Sequence, residues 1–150
     1  MALSPFHISI PVSDLTAARR FYGELLGCSE GRRADRRIDF NFFGHHLVTH
    51  LEAGDAAHRT TDIVSAGVKT PCRHFGLVLP TEQWRVLARR LEEAGADFYL
   101  PPQKFHAGLD AEQECMLVHD NCGNIVEFKA TPTHGLFGTA ASPDPGPTAA

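Results

Sequence analysis

The sequence predicts an α+β fold made of two tandem βαβββ modules, whose curved mixed sheets enclose a funnel. The main observation is an internal duplication: HISIPVSD, beginning at His7, aligns with HFGLVLPT, beginning at His74. Each segment is followed by one helical pattern and three strand-like patterns. Apolar residues alternate in the strand-like segments and recur every three or four residues in the helical ones. Two such sheets, side by side or paired between chains, would direct their inner-face residues into the funnel.

The first module covers about residues 5–52. Phe6–Val12 reads as a strand, Ser13 or Asp14 offers a helix N-cap, and Gly27 ends the helix. The buried stripe of this helix is expected to consist of Leu15, Ala18, Tyr22, Leu25 and Leu26. Three further strands are expected near 29–33, 38–43 and 47–52.

The second module covers about residues 73–130. His74–Leu79 reads as its first strand, and Thr81 as the cap of a helix that ends at Gly95. Its remaining strands are expected at 97–100, 114–119 and 124–130, the last two joined by the turn Asp120–Gly123. Together the modules form one domain over residues 1–130. Residues 53–72 read as a connector or a flap over a site, and residues 131–150 as a flexible tail rich in Pro, Gly and Ala.

The composition is that of an ordinary globular protein. The 150 residues are 43% hydrophobic and 21% charged, with a formal net charge of −4 and a pI near 6.1. The arginines at 32, 33, 36 and 37 are interrupted by Ala34 and Asp35, so they read as a solvated hairpin. Nucleic-acid binding, which needs a concentrated cationic surface, is not expected.

The cysteines are scattered and form no CxxC pair, which argues against a zinc knuckle. The first residues lack the charged start and apolar run of a signal peptide, and no apolar run is long enough to cross a membrane. We therefore expect a cytoplasmic protein with free thiols.

Alternation places four chemically active side chains on the inner faces of the sheets. In the first strand His7 opposes the apolar Ile8 and Ile10, and in the repeated strand His74 opposes Phe75 and Leu77. By the same argument His50 and Glu127 also point away from the helix-packing faces. Each of the four lies on a different strand.

Two imidazoles and one carboxylate that converge form a facial triad for Fe(II), Mn(II), Ni(II) or Zn(II). The alternative is that each histidine is an ordinary hydrogen-bonded residue and Glu127 an exposed strand charge. His45 and His46, next to Gly44, are also compatible with a turn. His106, in a loop near Lys104, is a candidate substrate contact.

The sequence resembles the vicinal oxygen chelate superfamily, which includes glyoxalase I, fosfomycin and bleomycin resistance proteins, and extradiol dioxygenases. The resemblance covers about residues 5–130. It is carried by FHISIPVSDLTAARRFYGELLG, by RHFGLVL, and by HDNCGNIVEFK, which looks like the closing hairpin of the family with Asn-Cys where Pro-x is usual.

The resemblance implies specific roles for these residues. His7, His74 and Glu127 match the metal ligands of the family, and His50 lies where glyoxalase I-like members place a fourth ligand, a glutamate. His46 matches the histidine that handles the catechol proton in extradiol dioxygenases. The implied cofactor is a divalent metal ion, with Fe²⁺ favoured and Ni²⁺, Zn²⁺ or Mn²⁺ as alternatives. The implied partners are a small substrate with adjacent oxygens and a second copy of the chain in a homodimer.

Three functions follow from this resemblance. The first is an Fe(II) dioxygenase-like enzyme for oxidative ring cleavage, in which His46 or His50 acts as acid or base. The second is a glyoxalase I-like lyase or isomerase that uses Ni(II) or Zn(II), with His50 as a fourth ligand. The third is a binding or resistance protein that sequesters a small molecule.

Overall fold

The structure is a computed structural model of the chain, and it describes residues 5–52, 62–65, 68–71, 73–108 and 112–131. These residues divide into two compact units. The first unit contains the described residues up to 52, together with 90–97 and 119–124. The second contains those of 62–89, 98–118 and 125–131. The predicted tail after Thr131 and most of the predicted connector lie outside the described residues.

A four-stranded mixed sheet forms the centre of the first unit. Its strands are arranged in the order β1-β4-β3-β2, with β1 and β4 parallel and the other pairs antiparallel. The strands are β1 (His7–Val12), β2 (Ser29–Ala34), β3 (Arg37–Phe42) and β4 (His45–Leu51). Because His45 and His46 begin β4, they are strand residues and do not form the turn that their position beside Gly44 suggested.

The helix of the first unit packs on one face of this sheet. Helix α1 (Leu15–Ala18) continues directly as a π-helix, Arg19–Leu25. Of the two expected cap residues, Asp14 is the cap, since its Oδ1 accepts the amide hydrogens of Thr16 and Ala17. Tyr22 is fully buried, with its ring centroid 5.6 Å from that of Phe40. Phe6, read from the sequence as the first residue of this strand, directly precedes β1 and is 63% exposed.

The second sheet repeats the arrangement of the first. Its order is β7-β10-β9-β8, and β7 and β10 are parallel. The strands are β7 (Phe75–Val78), β8 (Phe98–Phe105), β9 (Gln113–His119) and β10 (Ile125–Ala130). The strand order and the position of the parallel pair therefore confirm the predicted tandem βαβββ fold.

Helix α2 (Thr81–Glu93) follows β7. Its buried stripe is the expected one, with Trp84, Leu87, Ala88 and Leu91 at most 5% exposed. The Trp84 indole N–H donates to the Phe128 carbonyl at 2.8 Å, which ties α2 to β10. Thr81 is the first helical residue rather than the cap, because the Trp84 amide donates to the Pro80 carbonyl.

Two short strands lie within the segment interpreted as a connector. β5 (Asp62–Ser65) and β6 (Val68–Pro71) pair antiparallel in a small sheet of their own. Strands are not expected here from the sequence, which reads as a connector or a flap. This hairpin leads to His74, so it fixes the chain just before one of the candidate site residues.

The turn at residues 120–124 is held to the first unit by a buried hydrogen-bond network. Asp120 is fully buried; its Oδ1 accepts the backbone N–H groups of Cys122 and Asn124, and its Oδ2 accepts the Tyr22 hydroxyl at 2.8 Å. The Asn124 amide donates to Asp120 Oδ2 and to the Pro11 carbonyl. The network therefore joins β1, the first helix and the turn.

The remaining sequence expectations concern cysteines, arginines and membrane segments. Cys28, Cys115 and Cys122 are buried free thiols. The arginine segment forms the predicted β2–β3 hairpin. None of the helices in the described part of the chain is long and apolar enough to cross a bilayer.

Candidate metal centre

His74 and Glu127 form a close pair in the second unit. His74 immediately precedes β7, and Glu127 lies on the neighbouring strand β10. His74 Nε2 is 3.2 Å from Glu127 Oε2, and the two side chains are 22% and 15% exposed. Of the predicted metal ligands, these two are brought into direct contact in the structure.

The orientation of the His74 ring is set by the backbone of β6. His74 Nδ1 is 2.6 Å from the Pro71 carbonyl oxygen. Because a carbonyl oxygen can only accept, Nδ1 carries a hydrogen and donates it. A neutral His74 ring therefore directs the lone pair of Nε2 toward the carboxylate of Glu127.

Both oxygens of Glu127 have partners. The Cys115 thiol donates to Oε1 at 3.2 Å, and Lys129 Nζ lies 3.4 Å from Oε2. Burial works to raise the pKa of Glu127, but the hydrogen bond with His74 and the charge of Lys129 hold that pKa below its ordinary value. Burial, reinforced by the charge of Glu127, raises the pKa of Cys115, so its thiol stays protonated and can donate.

Gly76 allows an unusually close approach of β7 to β10 beside Glu127. The two residues are partners in the parallel register. A Cβ atom built on Gly76 would lie 1.6 Å from the Glu127 carbonyl oxygen and 2.5 Å from its carbonyl carbon. Only glycine is compatible with this backbone arrangement, so the position of Glu127 depends on it.

Apolar side chains surround the thiol that contacts Glu127. Cys115, Leu117 and Ile125 form a buried cluster. Three partly buried residues pack against it: Tyr99, Leu100 and Phe105. An apolar wall of this kind strengthens the electrostatic interactions of a neighbouring carboxylate.

The His74–Glu127 pair fits a divalent cation by its chemistry and spacing. A lone pair directed at a carboxylate is stabilised by a positive species between them. A proton can occupy this position, because the hydrogen bond with Glu127 raises the pKa of His74 although partial burial lowers it. Two ligands of one metal, with N and O bonds of usual length, lie about 2.9–3.4 Å apart, and the observed separation is 3.2 Å. A carbonyl that fixes the tautomer of a ligating histidine is also a usual partner in metal sites.

His7 lies in the first unit, where it contacts His46. The two residues are register partners on β1 and β4, and their Nδ1 atoms are 2.9 Å apart. His46 Nε2 is in turn 3.3 Å from Oδ2 of Asp39, a β3 residue that is 4% exposed. Arg32 and Arg37 lie beside the same carboxylate, at 3.4 and 3.2 Å.

A groove of about 410 Å³ opens beside this cluster within the first unit. Its polar lining includes Ser29, Asn41, Asp39, His45 and His46. One carboxylate oxygen, Asp39 Oδ1, is buried and makes no hydrogen bond to the described residues. The groove is thus large enough for a small polar molecule.

The other predicted site residues lie apart from these contacts. His50 is half-buried on β4, opposite Pro11 and Arg37. His106 follows β8 with a positive φ of 53°. Among the described residues, no group of three or more His, Cys, Asp or Glu side chains is arranged to hold a metal ion. Convergence of His7 with His74 and Glu127 remains a prediction from the sequence.

Four residues in these clusters were not identified from the sequence. Lys129 lies two residues from Glu127 on β10, so alternation could have identified it, whereas Cys115 lies on the neighbouring strand β9 and its contact requires the strand order. Asp39 is a charged residue between the buried Ile38 and Phe40, which is a signal for an internal ion pair. The Pro71 carbonyl has no sequence signal, because its role depends on the β5–β6 hairpin.

Comparison with known proteins agrees with the fold. A family model described as the Glyoxalase/Bleomycin resistance protein/Dioxygenase superfamily matches residues 4–128. No curated protein sequence matches the chain.

Solved structures share the architecture over most of the chain. A glyoxalase/bleomycin resistance protein/dioxygenase from Alicyclobacillus acidocaldarius is 32% identical, with a TM-score of 0.73 over 89% of this chain and 96% of that one. The fosfomycin resistance protein FosX from Listeria monocytogenes is 15% identical, with a TM-score of 0.65 over 90% of this chain and 98% of that one. A virulence protein from Salmonella typhimurium is 21% identical, with a TM-score of 0.58 over 88% and 99%. The last two similarities concern the fold alone.

The match of the family model over most of the chain and the 32% identity to a solved member agree with the repeated sheets described above. The protein therefore belongs to the glyoxalase/bleomycin resistance protein/dioxygenase superfamily.

Proposed function

We propose that the protein is a divalent-metal-dependent enzyme that acts on a small substrate with two adjacent oxygens. The observation that carries this proposal is the His74–Glu127 pair, 3.2 Å apart, with the tautomer of His74 fixed by Pro71. His74 Nε2 and Glu127 Oε2 would hold the ion. His7 is the proposed third ligand, from the same chain or from a second copy in a homodimer.

The bound ion would supply Lewis acidity to the adjacent oxygens of the substrate. The chain's own residues supply the rest. The Cys115 thiol holds Glu127 Oε1, which leaves Oε2 facing His74. The apolar cluster of Cys115, Leu117 and Ile125 keeps water from one side of the carboxylate. His46 or His50 is the proposed group that moves the substrate proton, and His106 is a proposed substrate contact.

Our leading assignment of the reaction is Fe(II)-dependent oxidative ring cleavage, in the cytoplasm. The donor set of imidazole and carboxylate suits Fe(II), as well as Ni(II), Zn(II) and Mn(II). The test begins with elemental analysis of the purified protein. The metal-free protein is then loaded anaerobically with each ion, and oxygen uptake is measured with a panel of catechols. Uptake that depends on Fe(II) is expected; conversion of a hemithioacetal without oxygen would instead identify a lyase.

Two variants distinguish the loss of a metal ligand from a general effect of removing a carboxylate charge. Glu127→Gln should lower the metal content and the activity together, because an amide is a weaker ligand than a carboxylate. Glu82→Gln is the matched control, since that carboxylate is 83% exposed on α2. Normal metal binding by Glu127→Gln would contradict the proposal.

A metal-independent binding protein is the second candidate. The groove in the first unit favours it, because the groove presents polar groups to a small molecule without using His74 or Glu127. Tight binding of a small ligand that is unchanged by Glu127→Gln would favour this function.

A further inference from the structure

Three side chains of the first sheet form a continuous chain of polar contacts: Asp39, His46 and His7. Asp39 Oδ2 lies 3.3 Å from His46 Nε2, and His46 Nδ1 lies 2.9 Å from His7 Nδ1. The two imidazole rings are 4.8 Å apart between centroids and tilted by 34°. Both ring nitrogens of His46 are therefore engaged, one with the carboxylate and one with His7.

The chemistry of the end group fixes the direction of these hydrogen bonds. An ionised carboxylate can only accept, so the Nε2 of a neutral His46 must carry the hydrogen. Its Nδ1 then has a free lone pair and accepts. The hydrogen between the rings belongs to His7 Nδ1, and His7 Nε2 is left with a lone pair.

The carboxylate that sets this direction is buried beside two guanidinium groups. Asp39 is 4% exposed, and the guanidinium groups of Arg32 and Arg37 lie on its two oxygens. The register places Asn41 opposite His46 and Asp39 opposite Val48, so the carboxylate and the ring meet on one face of the sheet. A ring hydrogen bonded to a buried carboxylate loses rotational freedom as well as tautomeric freedom.

We propose that Asp39 and His46 are positioning residues, which hold His7 in the tautomer with a free Nε2. At His74 the Pro71 carbonyl has the same effect, because it accepts the Nδ1 hydrogen and leaves Nε2 of the neutral ring with a lone pair. The role that we assign to this tautomer, which is to present Nε2 to a metal ion, rests on the proposed function, in which His7 is a metal ligand. The hydrogen-bond direction itself rests only on the geometry of Asp39, His46 and His7.

The first test is a long-range ¹H–¹⁵N spectrum of the histidine rings in the full-length, metal-free protein, recorded where both rings are neutral. Nδ1–H is expected for His7, and Nε2–H for His46. Asp39→Asn places an amide that can donate to His46 Nε2, which reverses both hydrogen bonds. The fraction of His7 with a free Nε2 should then fall about tenfold, as expected for loss of a bond to a charged acceptor.

The second readout is the affinity of the metal-free protein for Zn²⁺, measured by calorimetry. Asp39→Asn should weaken it by about 10-fold to 100-fold, the usual effect of removing an outer partner of a ligating histidine. Asp35→Asn is the matched control, because this exposed residue in the β2–β3 turn undergoes the same chemical change. It should alter neither the tautomer nor the affinity.

A second variant, His46→Phe, keeps the proposal testable if Asp39→Asn does not fold. His46→Phe keeps the carboxylate and removes the link, so His7 should lose its preference for Nδ1–H while the amide spectrum stays folded. An unchanged His7 tautomer in both folded variants would overturn the proposal. A tautomer that shifts as expected in a protein that binds no metal would support the hydrogen-bond direction and refute the proposed function instead.

Discussion

Replacing Gly76 by alanine tests whether the close approach of β7 and β10 positions the candidate metal ligands. A Cβ atom at this position would lie 1.6 Å from the Glu127 carbonyl oxygen, whereas ordinary contacts of such atoms begin at 3.4 Å. The two strands must therefore separate by roughly 1.8 Å at this point, the difference between these two distances. Because the obstructing atoms belong to the backbone, no side-chain rotation can relieve the clash.

The cost follows from the hydrogen bonds of the parallel pair. Backbone hydrogen bonds weaken steeply beyond about 3.2 Å, so the ladder around Gly76 and Glu127 cannot survive such a shift. Losing about two of these bonds, at about 1 kcal/mol each, adds to about 1–3 kcal/mol of overpacking. We expect Gly76→Ala to lower the free energy of unfolding by about 3–5 kcal/mol.

Urea unfolding followed by circular dichroism measures this change, and calorimetric metal binding measures its effect on the site. Gly23→Ala is the matched control, because a Cβ atom there would meet its neighbours at 3.8 Å or more. That substitution lies in a helix, so it should be neutral or stabilise by about 0.5–1 kcal/mol. If Gly76→Ala unfolds within about 0.5 kcal/mol of the wild type, with unchanged metal affinity, the reasoning is wrong.

Three further predictions concern single residues. Burial and the nearby Asp120 raise the pKa of Tyr22 well above its ordinary value, so the wild type should exceed Tyr22→Phe in stability by about 1–2 kcal/mol below pH ~10. That advantage should disappear at higher pH, as tyrosine ionises in the unfolded chain, and a difference independent of pH in denaturant titrations would contradict this. Lys129→Met removes an ammonium group 3.4 Å from Glu127 Oε2. Because this positive charge repels a cation, calorimetry should show that divalent ions bind about three- to tenfold more tightly to the variant. Weaker binding would show that Lys129 assists the ion. Asp120→Asn replaces a fully buried acceptor of four hydrogen bonds and should lower the melting temperature, at a cost of about 3 kcal/mol; an unchanged melting temperature would refute its role.

Local patterns predicted most of the fold. Alternation predicts the strands of both sheets, the sequence offers Ser13 or Asp14 as the helix cap, and composition predicts the turn after His119. The β5–β6 hairpin was missed although it contains β-branched residues, because each strand has only four residues and the surrounding segment is rich in Gly, Ala and Thr. Thr81 was assigned as a cap because the sequence does not show that the Pro80 carbonyl takes the first helical hydrogen bond.

The sequence predicts the candidate site less completely than it predicts the fold. Alternation placed His74 and Glu127 on faces from which they can meet, and the structure shows their contact. The partners of these residues depend on register and on backbone positions. Neither the contact of His74 with the Pro71 carbonyl nor the contact of Asp39 with His46 can be read from residue types. These partners are only three and seven positions apart, but each contact depends on the local backbone conformation and the strand register.

The network around Asp120 has a consequence for how this chain can be divided. The buried hydroxyl of Tyr22 and the carbonyl of Pro11 have their hydrogen-bond partners 98 and 113 positions further along the chain. A fragment that ends at residue 52 would contain the whole first repeat but would lack Asp120, which accepts the hydrogen bond of the Tyr22 hydroxyl. Although the halves look like copies, we therefore expect the first repeat to be less stable by itself than within the full chain, because the acceptor for Tyr22 belongs to the second repeat.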